Sequence, residues 1–144
     1  PFPLQTVLDV RKRREERSLM DFVEEARLLK EERERLVEFQ RQVADALGLL
    51  RRLGERTVEA MEMELHLVHV RNCRRRLREQ EAAVDLREGE VRARRERLLS
   101  AMKERKVVET LRDRHAAAQR KEEETREQAV QDERSVMRPR RKKT

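Results

Sequence analysis

The stretch LGLLRRLGERT, from Leu47 to Thr57, contains two of the three glycines of this 144-residue chain. No proline lies between Pro3 and Pro139, and the third glycine, Gly89, stands alone. Glycine costs a helix about 1 kcal/mol relative to alanine and readily adopts the left-handed conformation that ends one. The stretch therefore predicts the only turn of a chain that is otherwise helical.

The composition excludes an ordinary compact domain. Charged residues make up 47% of the chain and aromatic residues 2%, with no Trp and no Tyr, whereas a globular domain averages about 25% charged residues. A compact core would have to bury arginines and glutamates, at several kcal/mol each. Disordered chains are rich in Pro, Gly and Ser, and this one is not. Its Arg, Glu, Ala, Leu and Val are typical of long helices and coiled coils.

Two columns of apolar residues recur at every seventh position, one on each side of the glycines. Such heptad spacing is typical of a coiled-coil seam, and a stripe this regular needs another apolar surface to pack against. The coiled-coil core is therefore predicted to contain Phe22, Leu29, Leu36 and Val43 before the turn, and Met63, Val70, Leu77, Val84, Val91 and Leu98 after it.

These patterns predict an all-α fold, a long two-helix antiparallel coiled-coil hairpin with an overhanging C-terminal helix. The single hairpin covers residues 1–138, with a helix over about 4–53, a turn over about 48–57 and a helix over about 58–136. A basic flexible tail follows at 139–144. One continuous helix that tolerates both glycines is the structural alternative.

Folding the chain around residue 53 makes the two columns meet. This register pairs Leu8 with Leu98, Phe22 with Val84, Leu29 with Leu77, Leu36 with Val70, and Val43 with Met63, and a register one heptad away stays open. Thr57 is predicted to be the N-cap of the second helix. At about 1.5 Å per residue the helices measure roughly 75 and 120 Å. Residues beyond about Arg105 therefore have no partner, and their thin apolar stripe consists chiefly of Val108, Leu111, Ala118 and Ala129.

Two basic segments raise the question of nucleic-acid binding. The net charge is +7, and the segments RKRREER at 11–17 and RPRRKKT at 138–144 carry much of it. Such runs attract nucleic acid or acidic surfaces by counterion release. Most arginines, however, alternate with glutamates at helical spacing, and no aromatic platform exists for stacking bases. A solvated helix face and a solubilising tail are the structural alternatives, beside docking of the tail on an acidic partner or membrane surface.

The segment HLVHVRNC is the only candidate for a metal site. His66, His69 and Cys73 share one helix face, but the first and last lie about 10 Å apart along the axis, too far for one zinc ion. The predicted opposite positions, Arg33 and Gln40, offer no further ligand. Motifs for phosphate binding or nucleophilic catalysis are absent. The sequence therefore predicts no catalytic residue, no cofactor and no metal, hence a protein that is not an enzyme.

Both ends of the chain resemble one family. The opening FPLQTVLDVRKRREE, at 2–16, is similar to the N-terminus of the FliJ family, small coiled-coil components of the flagellar protein export apparatus, which commonly begin with F-x-L-x-x-V/L-L-x-x-R-x-x-x-E. The stretch at 98–138 resembles the family pattern R-K-x-x-E-x-L-x-x-R followed by E-Q-x-x-x-D-E. The matching residues are Arg105, Lys106, Glu109, Leu111, Arg114, Glu127, Gln128, Asp132 and Glu133.

The resemblance implies a hairpin similar to the coiled coil of the rotary ATPase gamma subunit. It implies binding to the hexameric export ATPase FliI, whose ring would receive the terminal end of the coiled coil, and contacts with the export gate protein FlhA and with export chaperones. The residues implied for the ring are Phe2, Leu4, Val7, Leu8, Val107, Val108, Leu111 and Arg114. The gate contact would lie nearer the turn, with no residue assigned.

Three further functions follow from the sequence as alternatives. A stalk protein of virulence type III secretion would share the mechanism with a different cargo. A basic nucleic-acid-binding protein and a scaffold, in which two hairpins bury the stripes on their outer faces, are the others. The single Cys73 and the absence of an apolar run of roughly 20 residues favour a cytosolic protein, and the resemblance implies peripheral association with the inner membrane at the export apparatus.

Overall fold

The computed structural model of the chain describes residues 1–137, and the basic tail predicted at 139–144 lies outside them. It contains two helices, α1 at Gln5–Leu53 and α2 at Ala60–Met137. Residues 1–137 form no β-strand. The prediction of an all-α fold built from two long helices that pack against each other is confirmed.

Contacts divide the molecule into two units, each formed by a segment of α1 and a segment of α2. The hairpin unit comprises residues 16–100 and includes the turn. Among the described residues, the terminal unit comprises residues 1–15 and 101–137. In both units the segments run antiparallel, because residues later in the first segment contact residues earlier in the second. The contacts are Glu25 with Arg87 and Glu32 with Gln80 in the hairpin unit, and Phe2 with His115 and Arg11 with Glu104 in the terminal unit.

The turn lies between the helices, at residues 54–59, later than the start predicted at Gly48. Helix α1 ends in hydrogen bonds from the amide of residue i to the carbonyl of residue i−3, one residue closer than in an α-helix. The amides of Gly54 and Glu55 donate in this way to the carbonyls of Arg51 and Arg52, both at 3.2 Å. Neither Gly48 nor Gly54 has a positive φ. The expectation of a left-handed glycine is therefore wrong, because the shortened bonds end the helix without one.

The start of α2 also differs from the prediction. The amide of Met63 donates to the carbonyl of Glu59 at 3.1 Å, which makes Glu59 the residue that precedes the helix. Thr57 lies two residues earlier, so its prediction as the N-cap is wrong. Arg56 instead contacts Glu62 in the first turn of α2, at 2.9 Å. A carboxylate at this place is favourable because it faces the positive end of the helix dipole.

Polar contacts across the hairpin unit fix the register. The side-chain amide of Gln80 donates to the backbone carbonyl of Glu32 at 2.9 Å, and Arg87 pairs with Glu25 at 3.1 Å. Both pairs are centred on residue 56, and the pairs of Asp21 with Arg94 and Arg33 with Glu88 are centred a few residues later, whereas the prediction was centred on residue 53. The predicted partners on α2 are therefore at least six residues too early, and the register one heptad away that stayed open is closer to the structure. The affected pairs are Phe22 with Val84, Leu29 with Leu77, Leu36 with Val70, and Val43 with Met63.

The core of the hairpin unit combines the predicted column with small residues beside it. Leu29, Val70 and Val84 are buried as their column predicts. Near the turn, Val70 packs with Ala46 and Cys73, two small buried residues. The remaining predicted core residues are half-buried, as expected where only two helices share a seam: Phe22, Leu36, Val43, Met63, Leu77, Val91 and Leu98.

Gly48 lies inside α1, and a Cβ atom at this position would meet no heavy atom within 4 Å. We expect the substitution Gly48→Ala to raise the free energy of unfolding by about 0.5–1 kcal/mol, because alanine loses less backbone entropy in a helix. Chemical denaturation checks the change. The matched control is Gly54→Ala, outside the helix, where a Cβ would lie 3.4 Å from the Arg51 carbonyl. A larger gain at Gly54 than at Gly48 would contradict this account.

Candidate partner-binding surface

The terminal unit is built where the first turns of α1 meet α2 between Ala101 and His115. The side chain of Leu8 is 0% exposed, and Val108 and Ala101 are buried as well. The ring of Phe2, before the helix, lies 5.5 Å from the ring of His115, centroid to centroid, with a tilt of 57°. Burial of these apolar groups holds the first fifteen residues on α2.

Polar contacts also join the two helices in the terminal unit. Arg11 donates to the backbone carbonyl of Glu104 at 3.0 Å. The guanidinium of Arg105 bonds to the carboxylates of Glu15 and Glu109. The hydrogen bond to Glu15, supported by the charge of Glu109, raises the pKa of Arg105 above its ordinary value. Like any arginine, Arg105 is charged at physiological pH, and its guanidinium joins α1 to α2.

One side of the terminal unit carries exposed apolar side chains from both helices. Val7 and Val10 precede and follow the buried Leu8 on α1, while Val107 and Leu111 flank the buried Val108 on α2. Val7 directly precedes the buried Leu8, and Val107 directly precedes the buried Val108. Helical periodicity therefore rotates both valines by the same angle, in the same direction along the chain, away from the buried position. In an antiparallel pair, residues displaced in the same sense lie on the same side. We call the set Val7, Val10, Val107 and Leu111 the apolar face.

Arginines border this apolar face. Arg11 and Arg14 line a shallow surface groove with Thr6, Val7 and Val10. Arg114 lies one helical turn beyond Leu111 and is exposed. The surface therefore combines apolar and cationic groups, which suits a partner with an apolar patch bordered by carboxylates.

The structure brings together the eight residues implied for the ring, but not on one surface. Leu8 and Val108 are buried between the helices and are not accessible to a partner. Phe2 is half-buried against His115. The exposed members are Leu4, Val7, Val107, Leu111 and Arg114. The assignment of these exposed residues to a partner stays a prediction.

Sequence reasoning missed Val10 and His115. The signal for Val10 was its position three residues after Val7, which places both on neighbouring parts of one helix face. His115 was hidden by the register, because the prediction left every residue beyond about Arg105 without a partner. That expectation is wrong: Arg105, Val108 and His115 all contact the first fifteen residues or are buried beside them.

From Ala116 to Met137 every residue of α2 is exposed. Local pairs on one helix supply its described side-chain contacts, such as Arg126 with Glu122 at 2.9 Å. Pairs of this kind stabilise a helix by only a few tenths of a kcal/mol each. The predicted overhang therefore corresponds to this segment, which begins about ten residues later than expected.

The candidate metal ligands do not converge in the described part of the chain. The Sγ atom of Cys73 lies 3.7 Å from Nε2 of His69, and Cys73 is buried against Ala46 rather than opposite Arg33. His66 is half-buried. Within residues 1–137 no group of three His, Cys, Asp or Glu side chains is placed to hold a metal ion.

A comparison with protein families shows to which family the chain belongs. The family model described as "Flagellar FliJ protein" matches residues 1–144, the whole chain. The chain belongs to the FliJ family. No curated protein and no solved structure matches it.

Membership makes this FliJ family protein a component of flagellar protein export. The family is a non-catalytic part of that apparatus, in agreement with the prediction that the chain is not an enzyme. Among the described residues, neither helix has a stretch long and apolar enough to cross a membrane.

Proposed function

We propose that this FliJ family protein binds the hexameric export ATPase FliI through its terminal unit and promotes assembly and activity of the ring. In this proposal the terminal end of the helical pair enters the ring, and the protein links the ATPase to the export gate protein FlhA and to export chaperones. It acts in the cytoplasm, at the inner membrane where the export apparatus is embedded. The virulence-secretion alternative is less favoured, because the family model that matches is the flagellar one.

The observation that carries the proposal is the apolar face. Val107 is 59% exposed, although it lies between two buried residues of α2, Ala101 and Val108. Removing a valine side chain from water lowers the free energy, so this exposure has a cost. Val7, Val10 and Leu111 accompany it, and Arg11, Arg14 and Arg114 supply charge at its border. A surface of apolar groups with an arginine rim has the anatomy of a protein interface.

The exposed segment at 116–137 supports the same interpretation. This segment of α2 has no buried residue. A partner that bound the segment would supply the tertiary contacts that the segment lacks. A ring with a central opening offers such contacts on several sides at once. Ordering on binding costs entropy, and the apolar face provides part of the free energy that offsets it.

The test measures ATP hydrolysis by FliI with and without the full chain, together with co-elution of the two proteins. We expect stimulation and co-elution, and the substitution Val107→Asp should weaken binding at least about tenfold, since it places a charge on the apolar face. Far-ultraviolet circular dichroism should show that the variant keeps its helices.

The matched control is Val37→Asp, which changes a valine of the hairpin unit that is 56% exposed. This variant should stimulate the ATPase like the unmodified protein. Absence of stimulation and of co-elution by the unmodified protein would refute the proposal. Equal loss in both variants would show that the apolar face is not the site.

A further inference from the structure

The outer face of α2 in the hairpin unit carries a second regular seam, turned away from the first. Starting at Met61, positions recur at alternating intervals of four and three residues, as in a coiled coil. In order they are Met61, Leu65, Val68, Asn72, Arg75, Glu79, Ala82, Leu86, Gly89 and Ala93. We call these ten residues the outer seam.

The large apolar members of the outer seam are in water. Met61 is 75% exposed, Leu65 65% and Leu86 73%. Helical periodicity places the residues that α2 buries against α1, such as Val70 and Val84, on the opposite side of the helix. The hairpin unit is therefore complete without the outer seam, and packing inside the chain gives no reason for its apolar residues.

The charges of the outer seam indicate which surface would cover it. Its only charged members are Arg75 and Glu79, which lie one helical turn apart, pair loosely with each other at 4.0 Å and are both well exposed. In a parallel pair with matched numbering, each arginine would face an arginine and each glutamate a glutamate. In an antiparallel pair centred on residue 77, Arg75 of each copy faces Glu79 of the other. The seam is thus complementary to itself in the antiparallel direction.

The same register accommodates the remaining members of the seam. Val68 of one copy faces Leu86 of the other, Asn72 faces Ala82, Leu65 faces Gly89, and Met61 faces Ala93. In the two outer pairs, Leu65 with Gly89 and Met61 with Ala93, a large side chain therefore meets a small or absent one, which favours interdigitation.

Gly89 supports this pairing by an independent observation. It lies in the interior of α2, where glycine is unfavourable. A Cβ atom added there would approach only the guanidinium of Arg92, at 3.9 Å. The chain itself does not require the absence of a side chain at this position, whereas close approach of Leu65 from a second helix would use the space.

We propose that a second copy of this chain docks on the outer seam, antiparallel and centred on residue 77, to form a symmetric dimer of hairpin units. The outer seam shares no residue with the apolar face of the terminal unit. The dimer is therefore independent of the proposed contact with the ATPase, and either proposal can fail while the other holds.

Sedimentation equilibrium of the full chain over a range of concentrations tests the association. We expect a reversible dimer, and Leu65→Glu should raise its dissociation constant at least about tenfold, because each dimer loses two buried leucines. The control Val37→Glu changes an exposed residue of α1 and should leave the constant unchanged. A monomer at every soluble concentration, or a dimer insensitive to Leu65→Glu, would overturn the proposal.

Charge reversal tests the direction. Arg75→Glu alone and Glu79→Arg alone each place like charges opposite one another and should weaken the dimer. The double variant R75E/E79R restores opposite charges and should recover the affinity. Failure of the double variant to recover it, while circular dichroism shows intact helices, would exclude this pairing.

Cysteine crosslinking tests the register. A mixture of the single variants Leu65→Cys and Gly89→Cys should form a disulfide between copies, whereas neither variant alone should, because equal positions lie about 36 Å apart at 1.5 Å per residue. The native Cys73 is 2% exposed and faces the core, so it does not compete. Crosslinking of either variant with itself would contradict the antiparallel arrangement.

Discussion

Replacing Leu8 by alanine is expected to lower the free energy of unfolding of the terminal unit by about 2–4 kcal/mol. Leu8 is the largest fully buried side chain among the described residues, and no atom of it is accessible to solvent. Truncation removes apolar surface from the contact with α2 and leaves a cavity that two helices fill only in part. The first fifteen residues contain few other buried groups, so little remains to hold them.

Hydrogen exchange of the backbone amides at 5–15 is the direct measurement. Protection of these amides should fall sharply in Leu8→Ala, while the amides around Val70 in the hairpin unit should keep theirs. The matched control is Leu19→Ala, the same change on the same helix at a residue that is 47% exposed. Protection at 5–15 that is unchanged in Leu8→Ala would show that the terminal unit does not depend on this contact.

The substitution Val70→Asp is expected to destabilise the hairpin unit by about 3 kcal/mol or more at neutral pH. Val70 is buried beside Ala46 and Cys73, and this apolar cluster offers no partner for a carboxylate. A buried carboxylate without a partner loses its hydration. Urea denaturation at pH 7 measures the loss, and Val37→Asp, at an exposed valine of α1, should change stability by less than about 0.5 kcal/mol.

The same variant should show a defined dependence on pH. Burial disfavours the charged form, so the pKa of the new carboxyl is raised in the folded state above its unfolded value of about 3.9. The folded state then binds the proton more tightly, and the defect is smallest below about pH 4 and grows as the pH rises through the folded pKa. A defect that is equal at pH 3 and pH 7 would mean that water reaches this carboxylate.

The helices and the larger core residues could be predicted from the sequence because they follow a period. Leu29, Val70 and Val84 belong to heptad columns, and a regular apolar column is expected only on a helix that packs against another apolar surface. Ala46 and Ala101 were missed as core residues because small side chains occur on any helix face. They are buried where the helices approach closely, which depends on the partner as well as on the residue.

The register could not be obtained from the columns alone. A shift by one heptad matches almost every apolar residue with another apolar residue, so the choice depends on the turn. Gly48 suggested an early turn, but its cost inside a helix is about 1 kcal/mol, small against the packing of the surrounding seam. Polar groups such as Gln80, which is buried and bonds to the Glu32 carbonyl, distinguish the registers. Their partners become visible only in three dimensions.

Because every residue from Ala116 to Met137 is exposed, we expect this segment to unfold differently from the packed helices when the protein is heated. A helix held by local bonds alone loses its order gradually on heating, residue by residue from its end, whereas packed helices melt cooperatively. The magnitude of the helical circular dichroism signal should therefore decrease gradually at temperatures where the environment of Val70 is still native. The midpoints reported by these two probes should differ, and binding of a receptor to the segment should bring them together.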